Sequence, residues 1–212
     1  MHRIVSLWVF SILLLACTRS IASLLFPGTA GACPNLPMEF QPIDYRVASQ
    51  AQRELVEKFH FTPKVATLQS GESGELGADI SYTLRAFPNH PRALYAIAEL
   101  GRRQKKATPT RSYLSVECWF ERAVRFRPDD AQVKVIYGLE LLKDGNRAAA
   151  VDQLEKGVAL APDDGNAHYN VGLAYFQLGD YQSALDHAKK AESLGFPLQG
   201  LKQKLEKAGK WQ

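Results

Sequence analysis

The chain has 212 residues, 46% hydrophobic and 23% charged, with 15 Gly, 11 Pro and 3 Cys. That excludes a disordered, collagen-like or disulfide-dense protein and leaves room for one domain or an array of small repeats. The formal charge of +4 falls to +2 when Arg3 and Arg19 of the N-terminal segment are set aside, leaving 24 basic against 22 acidic side chains. So even a balance, with no stacking aromatics among the basic residues, argues against nucleic acid as a partner.

Residues 1–32 read as a targeting segment. Met1 to Arg3 gives a short basic start, and Ile4 to Ala16 is apolar except for Ser6 and Ser11. That run fits the core of a secretory signal and is shorter than the roughly 20 residues that span a bilayer. Three endings are open: cleavage after Ala22, with Ser20 three places before the cut; cleavage after Ala32, behind Ala30-Gly31; or lipidation of Cys17, where Leu14-Leu15-Ala16-Cys17 resembles a bacterial lipobox with an unusual second Leu. A fourth course, no cleavage, leaves the chain associated with a membrane through its N-terminus. Each places the remainder outside the cytoplasm, in the periplasm or cell envelope, where thiols can pair. Under two of the three processing schemes Cys33 and Cys118 are the only pair left, and a disulfide between them is expected, worth about 4 kcal/mol in the chain-entropy model less any strain. The other reading makes Cys118 a small buried helix residue.

Residues 33–78 form an N-terminal extension. Tyr45 to Phe59 reads as helical, with Val47, Ala51, Leu55 and Phe59 four apart on one side. Phe61-Thr62-Pro63 breaks it, Thr62 and Pro63 can start a short helix through Leu68, and Ser70 to Gly77 is a flexible loop by composition. From Asp79 to Pro88 the chain looks like a lone second helix of a degenerate repeat.

A period then takes over for residues 79–212. Pro128 and Pro162 stand 34 residues apart, inside Arg127-Pro-Asp-Asp130 and Ala161-Pro-Asp-Asp164, and Pro197 follows 35 later. A period in that range means a solenoid of helix pairs. Units are expected at about 91–130, 131–164 and 165–197, with a cap at 198–211. In the middle unit Val133, Tyr137 and Leu141 share one face, and Ala150, Val151, Leu154 and Val158 share another. Gly145-Asn146 and Gly179-Asp180 are the turns between helices. Gly172, Ala184 and Ala191 stand where helix axes must come close, beside Tyr175 and Tyr181. The first unit carries about six extra residues between its helices, around Arg102 to Arg111. In the cap, Leu201 and Leu205 are expected inward, and Lys202, Lys204, Lys207 and Lys210 outward.

The register of Asn170, Gly172, Tyr175, Gly179, Tyr181, Ala184, Ala191 and the closing proline resembles the tetratricopeptide repeat, as do Tyr137-Gly138, Ala150, Leu154, Gly157 and Pro162 of the unit before. The phrases at 79–94, 116–130 and 195–211 also resemble those of a group of exported bacterial tetratricopeptide proteins, a resemblance that brings no activity with it. The resemblance implies an all-α superhelical solenoid whose first helices line a concave face. Its groove positions fall on Arg92, Tyr95, Glu99, Arg102 and Arg103 in the first unit. They fall on Gln132, Val135, Leu139, Leu142 and Lys143 in the second, and on Asn166, Tyr169, Leu173, Phe176 and Gln177 in the third. Asn170 alone fits the pattern of a carboxylate clamp, which argues against recognition of an acidic C-terminus. Tyr169 and Phe176 are the expected anchors for a partner segment, since buried aromatics dominate many interfaces. The apolar part of the groove is filled either by that partner or by the chain's own N-terminal segment.

No catalytic or metal motif stands out. His2, His60, His90, His168 and His187 are isolated, there is no Cys-x-x-Cys, and Ser70 to Gly77 matches neither a P-loop nor a hydrolase elbow. His60, Asp79 and Ser81 are a triple that could meet in space. Arg102 to Arg111 is either a solvated basic loop or a contact for anionic lipid or polymer. The function expected is therefore a non-enzymatic adaptor of the bacterial cell envelope that binds a protein segment, without cofactor or metal. A self-assembling subunit of an envelope machine, such as a pilus or polysaccharide exporter, is the alternative.

Overall fold

The computed structural model describes residues 33, 34, 36 and 41–211. The expected signal, its cleavage sites and lipidation at Cys17 lie outside them. Residues 33–212 form a compact unit. Every regular element among the described residues is helical: α1 (Gln50–His60), α2 (Pro63–Ala66), α3 (Leu76–Ala86), the pairs α4 (Pro91–Gln104) with α5 (Val116–Phe126), α6 (Ala131–Lys143) with α7 (Arg147–Leu160), and α8 (Gly165–Leu178) with α9 (Tyr181–Ser193), then α10 (Gly200–Lys207).

Short side chains after the prolines start each pair. His90 Nδ1 accepts from the Ala93 N–H at 3.2 Å, Asp130 Oδ1 from Val133 N–H at 3.2 Å, and Asp164 Oδ1 from Asn166 N–H at 2.9 Å, each capping a helix whose first N–H groups have no partner within it. Inside the last two pairs, Asn146 and Asp180 repeat the device for α7 and α9. Gly145 and Gly179, with φ of +81° and +82°, make the reversals that an L side chain resists.

Glycine also sets the distance between helices. A Cβ on Gly138 of α6 would lie 3.0 Å from the Ala150 carbonyl and 2.6 Å from Leu154 Cγ, while one on Gly157 of α7 would lie 2.6 Å from Val135 Cγ2. These two positions zip α6 to α7 at both ends. Gly172 plays the same part in α8, where a Cβ would meet the Ala184 carbonyl at 3.3 Å and Leu201 of α10 at 2.4 Å. Leu201 and Leu205 are buried, so α10 closes the stack where a further repeat would otherwise pack.

A disulfide and a polar cluster at Asp44 help to tie on the N-terminal extension. Cys33 and Cys118 are joined by a disulfide, and Leu36 packs against the core of the first pair, where Trp119, Phe120, Leu94 and Ile97 are buried. Buried Asp44 accepts from Arg46 Nη2 at 2.8 Å, Asn89 Nδ2 at 2.7 Å and Arg127 Nε at 2.7 Å. Asn89 also donates to Asp130 Oδ2 at 2.8 Å and accepts from Tyr45 N–H at 2.9 Å. One carboxylate thus joins two successive inter-repeat corners to the extension. The Arg46 hydrogen bond outweighs burial, and with Asn89 and Arg127 holds the Asp44 carboxyl well below the usual range.

Two boundaries in the extension differ from expectation. The expected helix from Tyr45 is a turn at residues 45–47, because Asp44 captures the Arg46 N–H; α1 begins only after a Ser49–Gln52 capping box. The short helix after Pro63 ends at Ala66, since Leu68 takes a left-handed φ of +56°.

Replacing Gly172 by Val overpacks the meeting of α8, α9 and α10 and is expected to cost about 1–3 kcal/mol in urea unfolding; an unchanged midpoint would show that the helices are not that close. His90 gives a pH signature. Burial, only partly opposed by Glu57, pushes its pKa down to about 4. The unfolded chain then binds the extra proton, so the stability is intact above about pH 6.5 and is lost as the pH falls through 4. Up to about 3 kcal/mol should disappear across that window, and His90→Asn, which keeps a cap, should flatten the difference.

Candidate functional site

The first helices α4, α6 and α8 lie side by side, and the two ends of the surface they make have opposite fates. At the first end, Tyr95 is 51% exposed, with Lys143 Nζ 5.2 Å from its ring centroid. Glu99 accepts from Arg102 Nη2 at 2.9 Å and faces Arg103 Nε at 3.6 Å. Arg102 also pairs with Glu140 of α6, whose other oxygen lies 3.6 Å from Lys143 Nζ. Buried Glu140 therefore holds α4 to α6 through Arg102. The Arg102 hydrogen bond outweighs burial and keeps the Glu99 carboxyl below its usual value, whereas burial, with the Arg102 charge adding to it, pushes the Lys143 amine down. An open cleft of about 380 Å³ runs past Thr67, Leu68, Tyr95, Glu99 and Arg103. A second, of about 290 Å³, lies beside Arg102, Lys105, Lys106 and Asp144.

At the other end the expected anchors are already occupied. Tyr169, Leu173 and Phe176 pack on the cluster that contains Leu201 and Leu205 of α10. The Tyr169 ring lies 5.0 Å from Phe196, its hydroxyl is so near Gly200 that a Cβ there would come within 2.8 Å, and Phe176 meets Tyr181 at 5.3 Å. Tyr169 and Phe176, both half-buried, thus help to seat the C-terminal helix. Part of this end of α8 is covered by the C-terminal helix. Val135 needs a correction: it is buried against Gly157 and does not face the groove.

The remaining groove residues are spread between these ends. Gln132 and Gln177 are exposed, Leu139 and Leu142 are half-buried against the core of the middle pair, and Asn170 donates to the Asn166 carbonyl at 2.9 Å. Arg92 is exposed, its guanidinium 5.7 Å from the Phe61 ring centroid.

Of the His60, Asp79 and Ser81 triple, only the first two meet, at 3.1 Å. The hydroxyl beside them belongs to Ser73, and it donates to Asp79. Asp79 also accepts from the Glu72 and Ser73 N–H groups, while Ser81 lies 3.3 Å from Ser112 Oγ. Burial pushes the Asp79 carboxyl up, but these hydrogen bonds outweigh it and hold it down. A nucleophile must face its base, and here the hydroxyl faces the carboxylate that organises the 70–75 loop. His168 and His187 meet unexpectedly, Nδ1 to Nδ1 at 2.9 Å, with His168 Nε2 3.0 Å from the Pro162 carbonyl. Among the described residues no group of three His, Cys, Asp or Glu side chains could hold a metal.

Residues 137–195 match the family model described as Tetratricopeptide repeat. Residues 137–195 carry the tetratricopeptide repeat. Among the solved structures that resemble the chain are "Crystal structure of MamA", at 19% identity over 76% of this chain and 84% of that one with a TM-score of 0.43, and "MamA MSR-1 C2", at 16% identity over 72% and 80% with a TM-score of 0.44. No curated protein matches.

The two ends predict opposite outcomes for truncation of their aromatics. Tyr169→Ala and Phe176→Ala should each cost about 2 kcal/mol or more in equilibrium unfolding, because they uncover α10. Tyr95→Ala should stay within about 0.5 kcal/mol of the parent.

Proposed function

We propose that this protein is a non-enzymatic adaptor of the bacterial cell envelope, and that it holds a segment of another protein at the α4–α6 end of its groove. The observation that carries the reading is the exposed pairing of an aromatic face with cations: Tyr95 beside Lys143 and Arg103, next to an open cleft. Arg102 is committed to Glu99 and Glu140, whereas the Arg103 side chain is 53% exposed and sits 3.6 Å from Glu99. Such a surface suits an extended or helical segment that lays an apolar side chain on Tyr95 and sets an acidic one against Arg103 or Lys143. Support for the envelope comes from the apolar run at Ile4 to Ala16 and from the Cys33–Cys118 disulfide, a bond that persists in oxidising compartments.

Crosslinking in the native envelope, followed by affinity capture and mass spectrometry, tests this. One stoichiometric partner should be recovered and should fall at least about tenfold with Tyr95→Ala combined with Arg103→Glu, the range of hot-spot residues. Retention of the partner by that variant, or recovery of the protein alone, would contradict the reading.

A further inference from the structure

The two ends of the stack are finished differently. At the C-terminal end α10 buries Leu201 and Leu205 and leaves Lys204 and Lys207 exposed, as a terminal cap requires. At the N-terminal end Val47, Leu55 and Phe59 are 77%, 68% and 54% exposed, and Ala51 between them is exposed as well. The four-residue spacing lines up Ala51, Leu55 and Phe59 along one side of α1, and Val47 lies in the turn before it. The fold uses the other side of α1, where Val56 is buried with Ala48, Ala86 and Phe87, and where Glu57 accepts from the Tyr45 hydroxyl at 2.8 Å.

We propose that this strip docks on a lipid bilayer, with α1 lying in the interface and Val47, Leu55 and Phe59 entering among the acyl chains. Its dimensions favour lipid over protein. Eleven residues of helix are about 16 Å long, and one side of them falls well short of the roughly 800 Å² per partner that a stable protein interface buries. A bilayer requires no matching shape. The rim favours the same occupant: exposed Lys58 stands beside the strip with Glu54 as its acidic neighbour, and Lys58 Nζ lies 5.6 Å from the Phe59 ring centroid, while Arg53 is turned to the fold, where it donates to the Arg46 carbonyl and stacks on Tyr45. A cation on a flexible stem beside an apolar tip can reach phosphate while the ring is inserted. The strip also follows the apolar run that ends at Ala16, with residues 17–46 between them. Where that run or a lipid on Cys17 stays attached, α1 supplies the second signal that stable anchoring needs. The inference rests on the envelope location and is independent of the groove.

Flotation with vesicles of phosphatidylcholine, alone and with added phosphatidylglycerol, tests it on the full chain and on the compact unit 33–212. The compact unit should float, and Leu55→Gln with Phe59→Gln should lower its partition about tenfold or more, with an unchanged thermal melt because both side chains are exposed. Equal flotation of the variant, or flotation of the full chain only, would overturn the proposal. So would a concentration-dependent dimer in light scattering that the same variant abolishes, which would give the strip to a second copy. Recovery of the protein in the cytoplasm on cell fractionation would remove the envelope location while leaving the vesicle result standing, so the two failures are distinguishable.

Discussion

A missing Cβ at Gly172 decides how this stack ends and so what its groove can hold. In α6 the corresponding glycine lets α7 come close, with Gly157 answering from the other side. In α8 the same absence receives Leu201 from a helix that belongs to no repeat. Once Leu201 is seated there, α10 packs against Tyr169, Leu173 and Phe176, and the aromatic end of the groove is partly covered. The energetics favour that outcome: burial of Leu201 and Leu205 is worth roughly 1.5–3 kcal/mol for each side chain, and the intramolecular helix has no association entropy to overcome.

What stays open is set by charge. Glu140 is buried at the α4–α6 contact and stays in place through Arg102 and Lys143; Glu99 in turn draws Arg102 and Arg103 together. A buried carboxylate with cations at its rim fixes the geometry of α4 against α6 more than it adds to stability. The consequence is a fixed aromatic and cationic edge at Tyr95, Lys143 and Arg103. The extension stiffens the same end, through Asp44 at the corners and the disulfide on α5.

The helical pairs were legible because Pro, Gly and short capping side chains act locally: Pro128, Pro162, Gly145 and Gly179 announce their turns whatever the rest of the chain does. The landing place of a helix is not local. Leu201 and Leu205 marked α10 as a cap, and Tyr169 and Phe176 marked α8 as a binding surface, but only the fold reveals that one covers the other. Val135 shows the same limit at closer range, since its burial depends on the glycine at 157. The union of Asp44, Asn89 and Asp130, each step spanning more than forty positions, leaves no trace in spacing. Glu140 carried a faint signal, an acid three residues before Lys143 on a helix otherwise rich in apolar side chains.

Occupation of the aromatic end of the groove by the C-terminal helix is the claim on which the placement of a partner depends. The most direct test is nuclear Overhauser spectroscopy of the folded protein. Cross-peaks between the Tyr169 ring and Gly200, and between the Leu201 methyls and the Gly172 Hα protons, are expected. Their absence, with Tyr169 ring resonances near random-coil positions, would place α10 elsewhere and return the aromatic end to a partner.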